Sequence, residues 1–260
     1  MMDDQKELLA RETMGIQSDV FGRAFSNRAL AALRKRPPFA PPIGLRARFV
    51  FIAVDPSGGG HSHFAIVSVF FERGELVVCG LESIPAKRPE DYEEALRVHC
   101  RKLRQVPHLE GALFLLCPEA NLGFESSHIA RAVRQLPFLV VMHESRDGRT
   151  PGMVTTHKTK EVMHSLLRDR LERGSVSYVA PDALVTAAAS PAKILGELTQ
   201  QVVNYSVVID TPDRLKGHFR MAKRTFSGKH HGNDDLAVML QFACLVARRF
   251  HQNPRYRRYW

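Results

Sequence analysis

Residues 48–71, RFVFIAVDPSGGGHSHFAIVSVFF, constrain the fold more than any other part of the chain. Two runs of apolar, β-branched and aromatic residues flank a glycine-rich turn, the pattern of strand, tight loop and strand. Asp55 stands where the chain leaves the first strand. A carboxylate there is costly to bury unless a cation or hydrogen bonds satisfy it. Gly58, Gly59 and Gly60 let the backbone turn through conformations other residues avoid, and they leave space beside the carboxylate. Taken alone, the stretch also reads as an Asp-Pro-Ser-Gly turn in which Asp55 only hydrogen-bonds its own backbone.

The following strands extend this start. Glu72-Arg73-Gly74-Glu75 reads as a hairpin turn into a third strand, 76–84, so strands 47–54, 63–71 and 76–84 form an antiparallel meander. Residues 88–106 repeat apolar side chains (Tyr92, Ala95, Leu96, Val98, Leu103) at helical spacing. GALFLLCPEANLG, residues 111–123, is continuously apolar up to Pro118 and Glu119, as a strand buried on both faces is. With the helix 126–136 and the apolar strand 138–144 it makes a crossover unit. A polar, glycine-rich loop (145–154) leads to a helix over 155–174, capped by threonine and stopped by Gly174. VSYVAP is a short strand, and 190–205 is a helix with Pro191 in its first turn. Residues 206–233 read as a strand followed by a basic loop or hairpin, and 234–250 as a long apolar helix that opens on Asp234 and Asp235.

Three units follow: a helical arm and linker over 1–45, broken by Pro37, Pro38, Pro41 and Pro42; a main α/β domain over 46–250; and a basic aromatic tail over 251–260. Its residues Arg255, Tyr256, Arg257, Arg258, Tyr259 and Trp260 suit either stacking on DNA or a disordered end.

The first and fourth strands of such a sheet lie side by side, which brings Asp55 and Glu119 together. A helix packed across the sheet can aim Asp234 and Asp235 at the same point. Converging carboxylates repel one another. Mg²⁺ or Mn²⁺, which prefer oxygen ligands, remove that repulsion. Two such ions about 4 Å apart can activate a water and stabilise the leaving oxygen of a phosphodiester. The competing readings are plain helix capping for the aspartate pair and an exposed loop residue for Glu119.

Charge supports a polyanionic partner. Lys and Arg number 37 against 27 Asp and Glu, a net charge of +10, which favours nucleic acid. Lys158 and Lys160, at the start of their helix, and Arg220, Lys223, Arg224 and Lys229, in the basic segment before the last helix, are the candidate DNA-binding residues. Either of His230 and His231 suits an extra metal ligand. The four cysteines are widely spaced with no CxxC pair, which excludes zinc-finger spacing and points to buried thiols in a reducing compartment. No apolar run reaches membrane-spanning length, and the charged start MMDDQKELLARE has no signal-peptide core, so an intracellular, soluble protein with no membrane partner is expected.

With these residues in view, the sequence resembles the nuclease domain of the large terminase subunit, the genome-packaging motor of tailed phages and herpesviruses. VDPSGGGHSHFAIVSV resembles its first acidic strand-turn-strand, and FLLCPEANLG its second acidic strand with an Asn soon after the Glu. GMVTTHKTKEVMHSLLRDRLERG resembles its threonine pair, lysine and helix, and SGKHHGNDDLAVMLQFACL its closing double-aspartate helix. RETMGIQSDVFGRAF resembles the segment that joins motor to nuclease. Together these cover about residues 8–250. The resemblance implies a ribonuclease H-like mixed sheet, an antiparallel three-strand meander plus parallel strands, flanked by helices. It implies a metal-dependent endodeoxyribonuclease that cuts concatemeric viral double-stranded DNA with two divalent cations. Asp55, Glu119 and one or both of Asp234 and Asp235 would be catalytic metal ligands. It also implies the terminase ATPase domain, the small terminase subunit and the portal as partners. The location would be inside the host cell: the nucleus for a herpesvirus-like protein, the bacterial cytoplasm for a phage. No GxxxxGK[ST] loop occurs, so the chain is expected to be an isolated C-terminal domain without ATP hydrolysis. A Holliday-junction resolvase-like nuclease of the same fold and a non-catalytic DNA-binding or assembly module are the alternatives.

Overall fold

The computed structural model describes residues 20–56, 63–85, 88–121, 124–144, 148–187, 190–210, 223–227 and 233–259. Gly58, Gly59, Gly60, Arg220, Lys229, His230 and His231 lie outside the described residues, as does the joining segment before Val20.

Three strands alternate and return on themselves: β2 (Phe49–Asp55), β3 (Phe64–Glu72) and β4 (Glu75–Ile84). The turn between β3 and β4 places Arg73 at φ 50° and Gly74 at φ 83°. Two successive positive φ values match the right-handed twist of the flanking strands. Beyond this meander the pairing is parallel. β5 (Leu113–Pro118) lies against β2, β6 (Leu139–Val141) against β5, and β7 (Val176–Tyr178) against β4. The resulting six-stranded sheet has the order β6-β5-β2-β3-β4-β7. This is the mixed sheet expected from the sequence. The middle of β2 and β5 is fully buried, because parallel central strands are covered on both faces.

Helices cover the two faces. On one side Tyr92 of α2 (Pro89–Gln105) stacks on Phe64 at 4.9 Å, and α3 (Phe124–Ala132) packs beside α2. On the other side α6 (Asp235–Gln252) packs across β2 and β3 and against α4 (His157–Glu172). Phe250 near its end meets Phe49 and Phe51 at 5.0 and 5.6 Å. Helix α6 therefore runs antiparallel to β2, and its N-terminus lies at the end of β2 that carries Asp55. α5 (Pro191–Asn204) packs beside it.

The structure departs from the sequence reading at both ends of the chain. Val20–Arg23, expected in a helical arm, is strand β1, paired antiparallel with β8 (Ser206–Asp210). β8 in turn pairs with β9 (Lys223–Ser227), so the basic segment is a hairpin in a second, three-stranded sheet. α1 (Asn27–Lys35), capped by Ser26, buries Ala29, Leu30 and Leu33 in the common core. At the other end α6 runs on to Gln252, and Pro254–Tyr259 forms a 3-10 helix. Tyr256 is 3% exposed, stacks on Phe250 at 5.5 Å and accepts the His143 N–H at 3.1 Å. Residues 254–259 are thus neither extended nor loose, because an aromatic side chain there completes the core.

Candidate functional site

Four acidic residues are brought to one end of the sheet, on the face covered by α6. Val54 pairs with Pro118, and the Glu119 N–H donates to Val54 O at 2.8 Å. The next residues, Asp55 and Glu119, are therefore neighbours at the ends of adjacent parallel strands. Asp55 pairs on its other side with Ala65. Ladder partners share a face, so Asp55 projects on the same side as Ala65 and as His63, two residues before it. That side is met by Asp235, whose Oδ2 accepts the His63 N–H at 2.7 Å.

Each acid is held by a different device. Glu119 Oε1 accepts from Asn121 Nδ2 at 2.8 Å and from Thr155 Oγ1. The Thr155 N–H donates back to Asn121 Oδ1 at 2.9 Å. A parallel backbone bridge between Glu119 and Met153 makes this clamp possible: Met153 N–H donates to Pro118 O at 3.0 Å, and Ala120 N–H to Met153 O at 2.9 Å. Asp234 and Asp235 are 4% and 5% exposed. Asp234 occupies the N-cap position of α6 without a side-chain capping hydrogen bond, while Asn233 Oδ1 accepts from the Asp235 N–H at 3.2 Å. Buried carboxylates are favoured by the helix N-terminus and demand further compensation.

The basic residues divide. Lys158 and Lys160 are exposed on the first turn of α4, a few residues beyond the Thr155 that holds Glu119. Lys223 and Arg224 fall on β9.

The oxygen-rich donor set, with two nearly buried aspartates at a helix start, fits a hard divalent cation in chemistry. The side chains are not gathered into a ready-made cage: among the described residues no group of three or more His, Cys, Asp or Glu side chains stands where one ion could be held. A second histidine–acid array, Ser68–His99–Glu82, lies on the opposite face. His99 is 2.9 Å from Ser68 Oγ and 3.2 Å from Glu82 Oε1. All three are fully buried, which makes the array a part of the core.

Asn121 and Thr155 lie in the segments that carry the resemblance, which assigns them no task. No sequence motif singles out His63, Ser83, Glu197 or Gln201. The signal for His63 was the alternation of β3, which places it on the face shared by Ala65 and its ladder partner Asp55.

The architecture defines the class: a ribonuclease H-like fold, a mixed sheet flanked by helices with acidic residues at the ends of two adjacent parallel strands. The solved structures most similar to it include nuclease domains of terminase large subunits. The human cytomegalovirus terminase nuclease domain, Mn-soaked and inhibitor-bound, superposes with a TM-score of 0.59 at 12% identity, covering 86% of this chain and 95% of that one. The nuclease domain of the large terminase subunit of bacterial virus Sf6 gives 0.51 at 16% identity, covering 86% and 98%. The large terminase nuclease of the thermophilic phage G20c, with bound magnesium, gives 0.50 at 14% identity, covering 85% and 96%. The chain therefore has the fold of terminase large-subunit nuclease domains, as the sequence resemblance implied. No protein-family profile matches the sequence, and no curated protein does.

Proposed function

We propose that this chain is the nuclease domain of a viral terminase large subunit, a metal-dependent endodeoxyribonuclease that cuts concatemeric double-stranded DNA during genome packaging. The observation that carries the reading is the placement of acids: Asp55 and Glu119 end adjacent parallel strands, and Asp235 meets the neighbouring strand at His63. The fold agrees, being that of terminase nuclease domains.

Asp55, Glu119, Asp234 and Asp235 would hold two divalent cations, Mg²⁺ or Mn²⁺. Such ions supply Lewis-acid activation of water and neutralise charge at a phosphodiester. Thr155 and Asn121 fix the Glu119 carboxylate, and so decide where it can offer its second oxygen. The N-terminus of α6 offsets the charge of Asp234 and Asp235 before any cation arrives. Lys158 and Lys160 would contact the DNA backbone at the rim, with Arg220, Lys223, Arg224 and Lys229 as the second phosphate-binding group. Contacts to phosphate position the duplex without reading its sequence.

Residues 46–250 would form the nuclease unit, buttressed by residues 20–35 and 254–259. By the same reading the chain works inside the host cell with an ATPase domain, a small terminase subunit and a portal. No helix among the described residues is long and apolar enough to cross a membrane.

The test is mutational. Asp55→Asn, Glu119→Gln and Asp235→Asn are each expected to leave a folded protein that no longer cuts plasmid DNA in Mn²⁺. Retained cutting in all three would overturn the assignment. A four-way junction offered beside linear duplex separates the resolvase-like alternative, which would favour the branched substrate.

A further inference from the structure

Beside Asp235 a set of polar groups closes on itself. The His63 N–H donates to Asp235 Oδ2 at 2.7 Å, and His63 Nδ1 lies 3.0 Å from Ser83 Oγ. Ser83 Oγ donates to Glu197 Oε1 at 3.2 Å. Gln201 Nε2 donates to the same oxygen at 3.2 Å, and its Oε1 accepts the N–H of Ala237 at 3.1 Å. Ala237 stands two residues after Asp235 in the first turn of α6, which completes the ring. Its members come from the start of β3, the end of β4, the middle of α5 and the start of α6. Register explains why they can meet: Ser83 is the β4 partner of Ala65, and Ala65 is the β3 partner of Asp55, so all lie on one face.

Two runs of donors converge on Glu197. A carboxylate only accepts, so the single Ser83 proton goes to Glu197. Ser83 can then only accept from His63, which places the imidazole proton on Nδ1. His63 donates to both Asp235 and Ser83, Ala237 donates to Gln201, and each donor meets an acceptor without conflict; such a network is stiffer than separate pairs.

We propose that this ring is the positioning device of Asp235: His63, Ser83 and Glu197, with Gln201, hold the carboxylate and the first turn of α6 against the start of β3. None of them is a catalytic residue. The proposal rests on Asp235 serving as a metal ligand under the function proposed above. Residues that orient a metal ligand from behind are commonly worth a factor of about 10–100 in metal affinity.

The experiment is Mn²⁺ titration calorimetry on the full chain, with thermal unfolding in the absence of metal recorded for each variant. Ser83→Ala and Glu197→Ala should each weaken Mn²⁺ binding by about tenfold or more, and Ser83→Thr, which keeps the hydroxyl, should restore it. In an Asp235→Asn background Ser83→Ala should cause no further loss. A role in folding alone would lower the melting temperature of Ser83→Ala and leave Mn²⁺ affinity unchanged, which overturns the proposal. A loss of equal size in the Asp235→Asn background also overturns it, because the effect would not pass through Asp235. Should Ser83→Ala fail to fold, Glu197→Ala on the helix carries the same test. Wild-type protein that binds no Mn²⁺ and cuts no DNA defeats the nuclease reading itself, and the ring's role with it. Wild-type binding with Ser83→Ala and Glu197→Ala unaltered defeats the ring alone.

Discussion

Gly152→Ala tests whether the parallel bridge behind Glu119 is as tight as its geometry demands. Gly152 has φ +88°, and a Cβ there would lie 2.0 Å from Pro118 O and 2.9 Å from both Pro118 C and Pro118 Cγ. The nearest atom is backbone of β5, so no side chain can swing aside. The left-handed conformation costs an alanine about 1–2 kcal/mol. Forcing extra volume against a packed strand adds about 1–3 kcal/mol. A total of about 3 kcal/mol is a large share of the roughly 5–15 kcal/mol that keeps a domain folded. For a chain of this size it should lower the melting temperature by about 6–12 °C. The displaced strand end is the one that carries Glu119, and Gly152 itself donates to Met142 O at 2.7 Å while accepting from the Glu144 N–H at 2.9 Å. Under the proposed function, Mn²⁺-dependent cutting should fall as well, measured below the variant's melting temperature. Gly196→Ala is the matched control: it lies within α5, nothing approaches its added Cβ within 4 Å, and alanine there should stabilise by about 0.5–1 kcal/mol. If both variants melt with the wild type by circular dichroism, the bridge is not the constraint described.

Two further outcomes follow from buried side chains. His164, packed 5.1 Å from the Phe25 ring, has its pKa lowered from 6.5 to about 4, first by burial and then by Arg168. Between those values the unfolded chain binds a proton that the folded one refuses. Stability contributed by the neutral ring is therefore full above pH 6.5 and lost as pH falls towards about 4. Melting curves from pH 7 to 5 should fall less steeply for His164→Phe, and identical slopes would refute this. Tyr256→Ala should cost about 3 kcal/mol in urea unfolding, as expected for a buried aromatic truncated to a methyl; an unchanged midpoint would return residues 254–259 to the status of a loose, DNA-seeking tail.

The sequence was most legible where a local pattern decides the outcome. Alternation and apolar runs define β2, β3, β4 and β5, since a strand buried on both faces must be continuously apolar. Their order then makes β2 and β5 neighbours, and Asp55 and Glu119 share an end. Thr156 caps α4 by accepting from the Thr159 N–H at 3.2 Å, and Gly174, at φ +62°, stops it; both signals are local. All four cysteines are free and buried, as expected for the three that lie in apolar runs.

What stayed hidden depends on partners distant along the chain. Val20–Arg23 is too short to announce a strand, and only β8 makes it one. Tyr256 looks like a tail residue until Phe250 and His143 are beside it. The same holds at the acidic end of the sheet. Glu119 is oriented by Thr155, and Asp235 by a strand start that reads as the edge of a glycine-rich loop. A carboxylate can be located from the strand or helix that carries it, but its direction is set by side chains that reach it across the fold. This is why the positions of the acids were readable and the ring of His63, Ser83, Glu197 and Gln201 was not. If Asp235 holds a cation, as proposed, Ser83 and Glu197 should affect its binding more than the exposed Lys158 does.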